Sequence, residues 1–364
     1  MKVVLVSLAR RGGMVHFVAE LGNALASVCP TVAVISSSAK ATYFSRKLGK
    51  IRVNTGRNAL HGVAQSLNPF MWCHLLRRLA AQKADLVHIV GVHQWNPGVA
   101  LLCKVLGKPL VYTVHDPDAH PGAPMAIRAA DWMTAWLADE LVALTRHGRT
   151  QLLSKGFSRN AISVIPHPMY TLFRRWRPRT AKTDRVILCF GRIEAYKGLE
   201  VLVRAYLSIR KALVGWTLIV AGSGRLPRSI AELVDEDIKF VNRYISDKEV
   251  AGLMHGAGIV ALPYTSATQS GVLALAQAFG RPVVGSAVGG LKEMIVHGKT
   301  GILVPPDNGP ALAEALESLA GDRRRLARMR RSIATQGRIA CNPRDIARAH
   351  VSMYANVLGR QAGR

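Results

Sequence analysis

The stretch Val186–Tyr206, VILCFGRIEAYKGLEVLVRAY, decides the reading of the fold. Val186–Phe190 is a short unbroken apolar run, the pattern of a strand covered on both faces. Gly191 ends it, and Arg192 and Lys197 follow, five residues apart. Gly198 opens a helix whose apolar positions, Leu199, Leu202, Val203 and Tyr206, recur at helical spacing. A strand end, a glycine turn, a helix start and two cations suit a diphosphate. The helix start offers unpaired N–H groups and partial positive charge, and Arg and Lys add full charges. On this stretch alone, a surface turn with two solvated cations stays open as the other reading.

Outward from it, the same alternation of strand and helix fills both halves of the chain. Before it, apolar runs mark strands at Val3–Leu8, Thr31–Ile35, Leu86–Val90, Pro109–Val114, Glu140–Leu144 and Ile162–Ile165. After it they mark Trp216–Ala221, Ile238–Val241, Ile259–Leu262, Pro282–Gly285 and Gly301–Val304. Ser246 and Glu249 have the spacing of a capping box opening a helix. The pattern predicts an α/β protein with two doubly wound parallel sheets facing across a cleft, the default place for a ligand. The expected divisions are a first domain over 1–170, a linker over 171–184, a second domain over 185–340 and a C-terminal helix over 341–364 able to pack back on the first domain. The linker reading rests on Arg174, Arg175, Trp176, Arg177, Pro178, Arg179 and Lys182, which carry little periodic apolar content.

Composition bounds the function. The chain has 364 residues, 49% hydrophobic and 20% charged, which is globular and long enough for two domains. A net charge of +27 favours anionic partners: nucleic acid, anionic lipid or phosphate-bearing substrates. RNP-like, helix-turn-helix and zinc motifs are absent, which argues against nucleic acid. The five cysteines lie far apart, without metal spacing, and fit a reducing cytoplasm. The N-terminus MKVVLVSLARRGG lacks the layout of a signal peptide, and no apolar run reaches the roughly 18 residues of a membrane span. Any membrane contact is therefore expected at the surface. Two segments could make it. Leu60–Leu79 combines an apolar face with Arg77 and Arg78, and reads as a core helix in preference to an interfacial one. Asp322–Arg338 is arginine-rich and reads as a solvated face or a hold on lipid head groups.

Further site candidates stand where strands end. Gly12 and Gly13 follow the first strand and allow a backbone to approach a ligand, although a full GxGxxG is absent. His115, Asp116 and His120 follow the strand Pro109–Val114, at the carboxyl end where open α/β sheets bind ligands. Gly222 stands in a Gly-Ser-Gly turn. Gln269, Ser270 and Gly271 precede the helix Val272–Phe279, whose start can cradle a diphosphate.

In order, GRIEAYKGLEVLVRAY, VAGSG, ISDKEVAGLMHGA, IVALPY, ATQSGVLALAQAFGRPVVGSAVGGLKEMI and HGKTGILVPPDN resemble the retaining glycosyltransferases of family 4, which have the GT-B fold of two Rossmann-like domains. The resemblance covers nearly the whole chain and is strongest over 186–305. It implies an enzyme that moves a sugar from a nucleotide-diphosphate donor to a saccharide acceptor, lipid-linked as in exopolysaccharide-building relatives, at the inner face of the plasma membrane. It implies that Arg192 and Lys197 grip the donor diphosphate and that the Gly12-Gly13 turn lies near the donor. It also implies that His115 or His120, with Asp116, contacts the transferred sugar or the acceptor. No cofactor or metal is expected, since cations and a helix start take the place of one. One departure is plain. The family carries two glutamates eight apart, and no Glu occurs between Glu249 and Glu293 here. Their slots fall at Ser266 or Ala267 and at Ala274 or Leu275, although a subset with an ATQSGV-type segment is closer to this chain. A UDP-sugar 2-epimerase of the same fold, or a non-catalytic assembly protein, are the alternatives.

Overall fold

The computed structural model describes residues 1–363 apart from 57–58, 119–123, 179–183, 232, 234–235 and 338–340. His120, Arg179, Lys182 and Arg338 therefore lie outside the described residues. The chain divides into two compact units. One comprises Met1–Pro168 with Pro343–Arg364, the other Met169–Asn342.

The first unit is built on β1 (Val3–Ser7), α1 (Gly13–Leu25), β2 (Thr31–Ser36), β3 (Gly49–Val53), α2 (Ala59–Ser66), α3 (Pro69–Ala80), β4 (Leu86–Val90), α4 (Asn96–Val105), β5 (Leu110–Val114), α5 (Met125–Leu137), β6 (Glu140–Ala143), α6 (Arg146–Ser154) and β7 (Ile162–Val164). Its parallel sheet has the order β3-β2-β1-β4-β5-β6-β7. Helices cover both faces, so β1, β4 and β5 are buried along their whole length. This is why they show as unbroken apolar runs rather than alternating ones. Leu75 and Leu79 of α3, Val99 and Cys103 of α4, and Ala135 of α5 share one core with Val6, Ile89 and Tyr112 of the sheet. Strand β3 was not expected: Ala39–Leu79 reads as irregular. It is the edge strand, pairing with β2, and only Ile51 of GKIRV is buried. Lys50 and Arg52 face solvent, so the apolar signal of a central strand is missing. The segment read as one helix over Leu60–Leu79 is two, α2 and α3, with Asn68 capping the second through Phe70 N at 3.0 Å.

The second unit is built on β8 (Val186–Phe190), α7 (Leu199–Ile209), β9 (Thr217–Ala221), α8 (Arg228–Ala231), β10 (Ile238–Val241), α9 (Asp247–Gly256), β11 (Ile259–Leu262), α10 (Gly271–Ala278), β12 (Val283–Ser286), α11 (Leu291–Met294), β13 (Gly301–Val304), α12 (Gly309–Gly321) and α13 (Arg323–Ser332). The sheet is again parallel, in the order β10-β9-β8-β11-β12-β13. Helix α9 opens with the expected capping box: Ser246 Oγ accepts from Glu249 N, and Glu249 Oε2 accepts from Ser246 N at 3.0 Å. The stretch expected as a linker carries a 3₁₀ helix, Thr171–Trp176, with Leu172 and Phe173 buried. Arg174 Nε donates to Ala278 O at 2.7 Å and Arg177 Nε to His255 Nδ1 at 2.9 Å, so this basic segment is fastened to the second unit. Its apolar content is two adjacent residues on a tight turn, too little to show as a period.

The last helix, α14 (Pro343–Ala362), returns to the first unit and packs against α1. Tyr354 Oη and His88 Nδ1 lie 2.7 Å apart, and His88 Nε2 and Thr113 Oγ1 also 2.7 Å, tying the helix to the middle of the sheet.

Candidate functional site

In the second unit the chain leaves β8 for β9 on one side and β11 for β12 on the other, while β8 and β11 are neighbours. The loops after β8 and β11 thus part from each other. Open α/β sheets bind ligands in the crevice that such a reversal creates. Gly191 ends β8 with a φ of +119°, and a side chain there would lie 3.5 Å from both Lys197 Nζ and Val272 Cγ2. The ammonium and the start of α10 therefore meet beside the same backbone turn. Gly222 has a φ of +151°, and a Cβ on it would fall 1.8 Å from Gly191 O. A glycine there lets the end of β9 press against the turn. Ser270 caps α10, its Oγ accepting from Leu273 N at 3.2 Å, and leaves Gly271 as the first helical residue.

Lys197 is half-buried. Its Nζ donates to Tyr264 Oη at 2.7 Å and lies 4.1 Å from the centre of that ring. Burial pushes its pKa down, against the pull of Tyr196, Cys189 and Glu194. Tyr264 is buried, and Thr265 N donates to Tyr196 O at 2.8 Å, which joins the β11 loop to the β8 loop. Arg192 is exposed and pairs through Nη1 with Glu194 Oε1 at 2.8 Å. The other oxygen, Glu194 Oε2, is buried without a hydrogen-bond partner, as is Gln269 Oε1. The slots of the family glutamates hold no carboxylate. Ala267 is buried, with its carbonyl accepting from Gly290 N at 2.9 Å, and Ala274 and Leu275 are buried within α10. Gln269 Oε1 is the acceptor that this loop leaves unused.

In the first unit the reversal falls between β1 and β4. Gly12 has a φ of +80° and its carbonyl accepts from Val15 N at 3.0 Å, turning the chain from β1 into α1. Arg10 Nη1 donates to Gly56 O at 3.1 Å. His93, after β4, accepts from Trp95 N at 3.2 Å, and burial and then Arg10 push its pKa down to about 4. His115, just past β5, is buried with both ring nitrogens unpartnered. It stands edge-on to Phe17 of α1 at 4.7 Å, and His167 meets the same ring at 4.8 Å. Burial first, then the His167 charge, push the His115 pKa down to about 3, so its imidazole is neutral. Asp116 beside it is half-buried.

The structure thus brings Arg192, Lys197, Gly222, Gln269, Ser270 and Gly271 to one end of the second sheet, and Gly12, Gly13, His115 and Asp116 to one end of the first. Sequence reasoning missed Tyr264, Glu194, Arg10 and His93. Tyr264 was within reach: it directly follows Pro263 at the end of β11, the other strand of the reversal.

A strand-reversal crevice with a helix start and paired cations, in one of two doubly wound units, is the form of a GT-B glycosyltransferase. Residues 184–322 match the family described as Glycosyl transferases group 1, and residues 11–171 the one described as Glycosyltransferase Family 4. The D-inositol 3-phosphate glycosyltransferase of Nocardia farcinica is 30% identical over 315 residues, 75% of this chain and 69% of that protein. The glycogen synthase of Mycobacterium tuberculosis is 28% identical over 271 residues, 68% of this chain; the match spans 63% of that protein's length. Anabaena HepE in complex with UDP superposes with a TM-score of 0.74 at 17% identity, over 98% of this chain and 100% of that one. The chain belongs to glycosyltransferase family 4 and has its two-domain α/β GT-B fold.

Proposed function

We propose that the chain transfers a sugar from a nucleotide-diphosphate donor to a lipid-linked saccharide in polysaccharide assembly, with retention at the anomeric carbon. The observation that supports this reading best is the meeting of the Lys197 ammonium and the start of α10 beside Gly191, with Arg192 next in the chain. In the reaction the bond from the anomeric carbon to the diphosphate breaks, and the acceptor hydroxyl forms its bond on the same face of the sugar. The hydroxyl proton passes to an oxygen of the departing diphosphate. No protein nucleophile is needed. The protein's part is positioning and stabilisation of the growing negative charge. Lys197 and Arg192 supply full charges and α10 unpaired N–H groups, so the charge is met without a metal. Arg192 exchanges Glu194 for the phosphate when the donor enters. Gln269 Oε1 takes a donor hydroxyl in place of the absent glutamates. His115, neutral, offers a ring N–H to the transferred sugar or acceptor, with Asp116 and the Gly12-Gly13 turn beside it.

HepE is seen with UDP and, in a further structure, with UDP-glucose, which makes UDP-sugars the first donors to try. The test is incubation of the chain with UDP-, GDP- and dTDP-sugars, a membrane lipid extract and EDTA, followed by mass spectrometry of the lipids. The expected result is one lipid-linked saccharide heavier by one sugar, with the donor's anomeric configuration. Donor consumption without any sugar-bearing product would overturn it.

A further inference from the structure

Six large apolar side chains, Phe70, Leu101, Val105, Met125, Met133 and Trp136, are between 53% and 84% exposed on α3, α4 and α5. These helices are neighbours on one face of the first sheet. Helix α4 packs against α5, and a Cβ on Gly98 of α4 would strike the Trp72 ring of α3. On α5 the exposed Met125, Ala129, Met133 and Trp136 fall at i, i+4, i+8 and i+11, a single stripe along the helix. Soluble proteins rarely leave this much apolar surface bare without a use for it.

The charges on the same helices are one-sided. Across α3, α4 and α5 the sequence holds Arg77, Arg78, Lys104 and Arg128 but only one acid, Asp131. That acid is half-buried and accepts a bond from the Tyr112 hydroxyl. Lys104 is paired with Asp139, just past α5, at 2.9 Å, which leaves Arg77, Arg78 and Arg128 to border the apolar side chains, with Asp131 turned to the sheet. An anionic lipid surface complements both features: acyl chains take the apolar stripe and acidic head groups take the cations. The arginine-rich α13 differs. Its apolar residues Leu326 and Met329 are buried, and among the described residues it exposes no large apolar side chain.

We propose that the outer face of α3, α4 and α5 docks the chain on an anionic bilayer, with α5 lying in the interface. This deepens the reading above, since a membrane-borne acceptor gives the docking its use. Vesicle binding is read without turnover, so the two can fail separately.

The test is co-sedimentation of the full chain with phosphatidylcholine vesicles, with and without about one third phosphatidylglycerol. The chain is expected to pellet with the anionic vesicles alone. A Phe70→Ser, Val105→Ser, Met133→Ser variant, altered at exposed positions, is expected to lose binding about tenfold or more. Arg323→Ser with Arg324→Ser should change it less than about twofold. Quenching of tryptophan fluorescence by brominated lipid, expected to fall in a Trp136→Phe variant, is a second readout. Equal binding by the triple variant, no binding by the unaltered chain, or larger loss in the α13 variant would overturn the proposal. So would a dimer in solution that the triple variant dissolves, since a second copy would then be the occupant.

Discussion

The two strand reversals of this chain solve different problems. The one in the second unit is dense in charge and hydrogen bonds. Lys197 is bonded to Tyr264, Arg192 is paired with Glu194, and Ser270 caps the start of α10 before any ligand arrives. The one in the first unit carries the cation Arg10, bonded to Gly56 O, and differs in what stands next to it. Beside it sits His115, neutral, buried against Phe17, with both ring nitrogens unused. A leaving diphosphate needs fixed positive charge. A sugar hydroxyl needs a neutral donor or acceptor in a place from which water is excluded. On the reading proposed above, the charge work falls to the second unit and the sugar or acceptor contact to the first.

The strongest way to break that contrast is to remove the charge. Arg192→Ala with Lys197→Ala should lower kcat/KM about a hundredfold or more, each single change about tenfold or more, with circular dichroism unchanged. Turnover that survives in the double variant would end the diphosphate role.

The neutral histidine gives the next effect, on stability. The folded pKa of His115 is depressed to about 3, below the ordinary unfolded value. The unfolded chain therefore binds a proton first. The stability held by the neutral ring is complete above about pH 6.5 and is lost as pH falls toward the folded value. By pH 5 the loss is about 2 kcal/mol for this one group. His115→Gln should remove that much of the fall in unfolding free energy, from urea titrations, between pH 7.5 and 5, with the burial-depressed His88, His93, His167 and His350 contributing further. An unchanged slope in the variant would show that His115 is not held neutral by burial.

The smallest effect sharpens the charged side. Tyr264→Phe keeps the ring under Lys197 and removes the hydroxyl with its bonds to Lys197 and Ser270, a change of about 1 kcal/mol, or about fivefold in kcat/KM. A loss as large as that of Lys197→Ala would make the hydroxyl itself a catalytic group.

How far the chain could be read in advance follows from the same physics. Central parallel strands are buried on both faces, so β1, β4, β5, β8 and β11 show as plain apolar runs. Edge strand β3 has one partner and a wet face, and Lys50 and Arg52 hide it. Arg192 and Lys197 were legible because they sit within one turn of chain. Tyr264 reaches Lys197 from 67 residues away, and only the order of strands in the sheet brings the two together. His115 could be placed at a strand end, but its packing against Phe17 and His167 joins three distant segments. The bare apolar stripe of α5 was not legible either, because periodicity alone does not say which face of an apolar helix is left uncovered.

The central claim is that Lys197, Arg192 and the start of α10 hold a diphosphate. Isothermal titration of UDP into the chain and into its Arg192→Ala, Lys197→Ala variant, both in EDTA, tests it most directly. The account predicts binding by the unaltered chain and a loss of affinity of about a hundredfold in the variant, roughly 2.7 kcal/mol. Equal affinity in the two proteins, or binding that EDTA abolishes, would contradict it.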